Sequence, residues 1–256
     1  MRNLKVIISF NGANYHGFQI QNNAPTIQAE LEIAAENILK APIGITGCGR
    51  TDAGVHARAF CFNMWTERVI PHMGFVKAMN GLLPPDIAVL SCEDVDDNFH
   101  ARYNATSKEY SYLIHNGSVR DVFMRDMSFF YPKSLNEELM AEAAKLFIGI
   151  HDFSAYCKAE SLELVQSKKY GTFRKIYDFT VKRKGEYVEL TVTGNGFLHN
   201  MVRIMAGTLV YVSEGKRTID DVRESLAGGK RELAGVTLPP QGLYLNKVDY
   251  EPKQPE

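Results

Sequence analysis

The sequence lacks any close pairing of cysteines: Cys48, Cys61, Cys92 and Cys157 stand far apart, and no CxxC occurs. That excludes a disulfide framework and a zinc-ribbon pattern, and it fits a reducing compartment. Long apolar runs are missing too. The stretch MRNLKVIISFNGANYHGF holds too few consecutive apolar residues for a signal h-region or a membrane span. The expected location is therefore the cytoplasm, with no membrane partner. Neither sign of charge is in excess, since 29 Lys and Arg against 30 Asp and Glu leave a net charge of −1. This argues against indiscriminate nucleic-acid binding, while a near-neutral sum still accommodates one basic face. Phosphate loops are absent: Gly47, Gly49 and Gly54 are wrongly spaced for GxGxxG, and there is no GK[ST]. No Ser or Cys nucleophile with a placed histidine stands out, nor does the second loop acid that a two-carboxylate glycosidase needs.

What is present is an ordinary globular composition, 45% hydrophobic and 23% charged over 256 residues, enough for one large domain or two moderate ones. Leu4 to Phe10 reads as a strand stopped by Asn11-Gly12. From Thr26, the spacing of Ile27, Leu31, Ala34 or Ala35 and Ile38 predicts a helix that ends before Pro42. Arg58 to Trp65, Ile87 to Val95 and Ser107 to His115 read as strands, with a short helix at Phe75 to Leu83 ahead of Pro84-Pro85. Ser134 with Glu137 forms a capping-box pattern that announces a long helix burying Leu139, Ala143, Leu146 and Phe147. Two strands joined at Lys184-Gly185 follow, then an apolar helix in FLHNMVRIMAGTLVYVS, a short helix from Thr218 to Leu226, and a last strand in GLYLNKVDY. The expected class is α+β, a sheet covered by helices on one side. Two comparable, pseudo-symmetric halves, 1–104 and 105–256, are expected to share one largely antiparallel mixed sheet.

The chemistry concentrates in GCGRTDAGVHA, Gly47 to Ala57. Asp52 has two readings: a turn aspartate bonded to its own backbone, or a nucleophile or base on a loop whose glycines let a substrate approach closely. Asp52 and His56 lie four apart, but no third ligand has a suggestive spacing, so no metal is expected. Arg50 reads as a loop salt-bridge partner. Arg203, inside an apolar helix, is a charge that needs a partner, and Asp52 is the attractive candidate. Tyr110 is either half-buried core or a stacking platform for a flat base. Lys168, Lys169, Arg174 and Lys175, then Lys182, Arg183 and Lys184, with Tyr170, Phe173 and Tyr177 among them, are either solvated hairpin faces or an RNA-binding groove.

GRTDAGVHA (Gly49 to Ala57) resembles the signature of the TruA-type tRNA pseudouridine synthases. Tyr15 to Glu32, Phe99 to Ile114, Gly149 to Lys158, Gly194 to Leu209 and Gly242 to Leu245 are similar to further blocks of that family in the same order, so the resemblance spans nearly the whole chain. Phe18 stands where the family often has tryptophan, Glu109 where it has threonine or a basic residue, and Tyr156 where phenylalanine is common. The resemblance implies the pseudouridine synthase fold and isomerisation of uridines 38, 39 and 40 in the anticodon stem-loop of tRNA, by a homodimer without cofactor or metal. It implies Asp52 as the catalytic aspartate, Arg203 as its ion-pair partner and Tyr110 as the aromatic on the target base. It also implies that Arg50 helps flip the nucleotide and that Leu245 lines the base pocket. A non-catalytic tRNA-binding or RNA-folding protein on the same scaffold is the alternative, and a glycoside-bond hydrolase a third reading.

Overall fold

The first strand buries every second residue from Leu4 onward, with Val6, Ile8 and Phe10 inward and Lys5 and Ile7 only half-covered. That period of two is what a strand with one face in a core imposes. The computed structural model describes residues 1–167 and 171–250, so Lys168, Lys169 and Tyr170 of the first basic cluster lie outside the described residues. In chain order the elements are β1 (Arg2–Phe10), α1 (Ile27–Leu39), β2 (Ile45–Gly47), β3 (His56–Thr66), α2 (His72–Leu82) and β4 (Ile87–Val95). There follow β5 (Ser107–His115), β6 (Phe129–Phe130), α3 (Glu137–Lys145), β7 (Gly149–Asp152), α4 (Ala159–Gln166), β8 (Phe173–Lys184), β9 (Tyr187–Gly194), α5 (Met201–Ser213), α6 (Ile219–Gly228) and β10 (Leu243–Asp249). This is an α+β protein whose strands pair mostly antiparallel.

The chain divides into two units, Met1–Thr106 with Tyr244–Glu256, and Ser107–Leu243. In the first, β1 lies between β3 and β4, antiparallel to both, and β2 pairs antiparallel with β3. Strand β10 joins β3 in parallel, Tyr244 opposite His56 and Leu245 opposite Ala57. Helices α1 and α2 pack on each other and bury Leu31, Ala35, Phe75 and Met79. In the second unit β9 lies between β5 and β8, antiparallel to both, and β7 pairs antiparallel with β8. The short β6 runs parallel to β5. Its core gathers Phe147, Phe153, Tyr156 and Phe179 in edge-on and stacked contacts beneath α3 and the nearly all-buried α5.

Several expectations need correction. Helix α1 buries Leu39, leaving Ile38 half-covered, because the helix continues to a left-handed cap at Lys40. Helix α3 is nine residues long and is capped by Asn136, whose side chain accepts from the Leu139 N–H at 3.0 Å, not by Ser134. Glu137 pairs instead with Arg183, and the buried residues are Met140, Ala143 and Ala144, with Leu139 and Leu146 half-buried. The hairpin between β8 and β9 turns on Gly185-Glu186, since Lys184 and Tyr187 are still paired. Helix α2 begins at His72, before Phe75. Three short strands, β2, β6 and β7, and helix α4 were not anticipated.

Candidate active site

In the first unit the candidates sit on the connection between β2 and β3, which spans Cys48 to Val55. Its base is tied by the Cys48 N–H donating to the Cys61 carbonyl at 2.8 Å. Its middle is clasped by the segment after β1. Phe18 N–H donates to the Thr51 carbonyl (3.3 Å), and Gly54 N–H to the Tyr15 carbonyl (3.2 Å). Asp52 itself closes a turn, its carbonyl accepting from Val55 N–H at 3.2 Å. The approach is very tight. A Cβ on Gly12 would stand 1.9 Å from the Val55 oxygen, and one on Gly17 2.3 Å from the Thr51 oxygen, with Gly17 also at φ +89°. Gly54, at φ +77°, allows the chain to reverse just after Asp52. Phe18 stacks on Phe60 with ring centroids 4.2 Å apart and lies under Gly47, so this side of the loop rests on an aromatic floor.

The loop leads straight into β3, and there His56 is buried. Its Nδ1 accepts from the Gly12 N–H at 3.0 Å, which places the ring proton on Nε2, and its ring stacks on Tyr244 at 4.8 Å. Arg58 lies over the other part of this stack, 4.9 Å from the Tyr244 centroid. Burial pushes the Tyr244 hydroxyl up to about 12, against the opposing pull of Arg58, so it stays protonated at neutral pH. The structure thus gives His56 a framework role. Leu245, buried, is carried to the end of the loop by its pairing with Ala57. Arg50 is exposed and Asp52 half-buried. The first unit therefore carries Arg50 and Asp52 on the loop and Leu245 beside the strand into which the loop runs.

Tyr110 and Arg203 belong to the second unit. Tyr110 sits on β5 opposite Val192, half-buried, with Phe197 edge-on at 5.1 Å. Arg203 lies in the first turn of α5. Its Nε donates to the Leu238 carbonyl at 2.7 Å and its Nη1 to Asn200 Oδ1 at 2.9 Å. Asn200 caps α5 in the left-handed conformation, φ 62°, a setting asparagine tolerates better than most residues. Leu238 is tied back to α5 by its own N–H, which donates to the Arg203 carbonyl at 3.3 Å, and Gly235 N–H donates to Thr208 Oγ1 at 2.8 Å. Arg203 is therefore pinned on two sides by groups of its own unit. Leu238 and Asn200 are contributors that sequence spacing does not reveal, as are Gly12, Gly17 and Tyr244.

The second basic cluster separates from the first. Arg174 and Lys175 open β8, while Lys182 to Lys184 close it, roughly 30 Å away at about 3.3 Å per residue. Arg183 is engaged in structure, bonded to Glu137, Asn116 and the Leu135 carbonyl. Among the described residues no group of three or more His, Cys, Asp and Glu is gathered as a metal ion would require, and no helix is long and apolar enough to cross a membrane.

Fold and loop together define a class: an α+β protein that presents an aspartate on a glycine-lined loop clasped by backbone contacts. The sequence matches the family model described as tRNA pseudouridine synthase over residues 6–104 and 143–251. It is 42% identical over 250 residues to the tRNA pseudouridine synthase A of Thermoanaerobacter sp. (strain X514), covering 98% of this chain and 100% of that protein. The corresponding proteins of Ruminiclostridium cellulolyticum and Bacillus pumilus are 42% and 41% identical, over 98% and 97% of this chain and 100% and 99% of theirs. The chain belongs to the tRNA pseudouridine synthase family, and it is accordingly an isomerase that modifies tRNA.

Proposed function

We propose that this enzyme converts uridines 38, 39 and 40 of the tRNA anticodon stem-loop to pseudouridine, with Asp52 as the group that starts the reaction. The N1–C1′ bond breaks, the base turns, and C5 bonds to C1′, so nothing is oxidised and nothing is gained or lost. One carboxylate suffices, acting on C1′ as a nucleophile or removing the 2′ proton as a base. A water-activating second acid is not needed, because no water enters the product. The base lies in a stacked arm and must be extruded first. In this reading Arg50, which is exposed two residues before Asp52, fills the space it leaves. In the same reading Arg203 is the ion-pair partner of Asp52, Tyr110 packs on the base, and Leu245 lines its pocket. The enzyme works as a cytoplasmic homodimer.

The observation that carries this reading is the clasp on the Asp52 loop. Two backbone hydrogen bonds and two side-chain-free approaches hold a half-buried aspartate in place. A turn aspartate with no further role would not require such fixation, whereas a reacting group must be held to well under 1 Å. The test is tritium release from tRNA labelled at uridine C5. Asp52→Ala is expected to abolish release while tRNA binding survives; full activity in that variant would sink the assignment. Wild-type protein that binds tRNA without releasing tritium would make it a non-catalytic binder, and free uracil as product would make it a hydrolase. Mapping pseudouridine in tRNA from cells lacking the protein checks the positions, with loss expected at 38 to 40 only.

A further inference from the structure

Arg174, second in β8, points to the same side as buried Ile176. It is half-buried, and burial pulls its pKa below the usual arginine value. Only Nη1 of the guanidinium finds acceptors among the described residues, the carbonyls of Gly171 (3.0 Å) and Phe173 (2.6 Å). No carboxylate among them comes within ion-pair distance, in contrast to Arg183 at the other end of the strand, which meets Glu137 at 3.0 Å. A partly desolvated cation without a counter-charge is unfavourable, and an apolar side chain of similar length would fill the same place without that penalty. The guanidinium edge formed by Nε and Nη2 is the fork that takes a phosphate or carboxylate with two parallel hydrogen bonds.

The surroundings favour an anion. Arg174 and the His199 backbone N–H both act on the Cys157 thiol and oppose the upward push that burial gives it, which places both near one sulfur atom. Lys158 N–H donates to the His199 carbonyl at 3.0 Å, so Lys158 follows the same corner, and its ammonium meets the exposed Glu160 at 3.8 Å. The His199 ring is oriented by Ser161, whose Oγ lies 2.7 Å from Nδ1. Gly196 keeps the approach open: a Cβ there would meet only Cδ and Nε of Arg174, each at 3.8 Å.

We propose that Arg174 is the centre of a phosphate subsite that takes one backbone phosphodiester of the tRNA substrate, with Gly196 leaving room and Lys158 and His199 alongside. The inference rests on tRNA being the substrate and adds a contact point remote in sequence from Asp52. Arg174→Met is expected to raise the Kd for tRNA on the order of tenfold. It should also lower the slope of log K against log salt by about 0.7 to 1, the signature of one lost phosphate contact. Turnover at saturating tRNA should stay within about twofold, and the variant should melt no lower than wild type, because a desolvated charge has gone. Arg174→Lys should keep the salt slope and recover part of the affinity. In an anticodon-arm RNA carrying single methylphosphonates, one linkage should weaken wild type but leave Arg174→Met unchanged. An unchanged salt slope, or a lower melting temperature with intact affinity, would make Arg174 a framework residue and overturn the proposal. If no linkage behaves this way, the site takes a free anion, not RNA, and the proposal fails equally. Should Arg174→Met not fold, the linkage scan on Arg174→Lys decides, with a smaller effect than in wild type expected at the same position. Binding is read independently of isomerisation, so these outcomes stand whichever uridines are modified.

Discussion

Gly12 comes so close to Val55 that an added methyl group would overlap the carbonyl oxygen, a backbone atom that cannot rotate away. Gly12→Ala is therefore expected to cost about 2 kcal/mol or more in urea unfolding and to reduce tritium release, because the loop that carries Asp52 must shift. Arg50→Ala, by contrast, removes an exposed side chain and should leave stability within about 0.5 kcal/mol. Asp52 could be picked out in the sequence as a chemically loaded residue, but not distinguished from an ordinary turn aspartate until several motifs aligned in order. Gly12 and Gly17 could not be picked out at all. A glycine in a loop declares that the backbone is free, and only the fold says whose carbonyl takes up the vacant space.

Helix ends decide much of the next scale. Thr26 is fully buried and accepts from the Ala29 N–H, so Thr26→Ala should lower stability by about 1 kcal/mol through the start of α1. At the far end of α5, Glu214 is held by Lys216, Tyr131 and Lys133, which depress its pKa from 4.5 to about 2. A carboxyl whose folded pKa is lowered stabilises fully above its unfolded value and loses that contribution as pH falls through the folded one. Stability should thus decline between about pH 4.5 and pH 2, and Glu214→Gln should flatten that part of an acid titration followed by circular dichroism. The long strands and α1 and α6 were legible because each carries a burial period or a cap of its own, and α5 because its apolar run is too long for a strand. Strands β2, β6 and β7 have two to four residues, too few for any period to show, and are strands only because a longer neighbour pairs with them. Helix α4 buries no residue, so it has no apolar stripe to read. The misplaced cap of α3 has a similar cause, since Glu137 answers to Arg183, which is distant in sequence.

Across the whole molecule, the division into Met1–Thr106 with Tyr244 onward, and Ser107–Leu243, makes the first unit discontinuous. Two comparable halves are what the order of strands and helices along the sequence leads one to expect. The return of the last strand to β3 is not visible there, because a parallel pairing over two residues leaves no trace in local pattern. Removing the residues after Gly242 is expected to expose the β3 edge and the buried His56 and Ala57, so that limited proteolysis cuts within the first unit. That same pairing has a consequence for biosynthesis. On the ribosome β1 to β4 emerge early, yet the partner of His56 and Ala57 is made some 190 residues later. The loop bearing Asp52 is thus synthesised well before the strand that completes its surroundings.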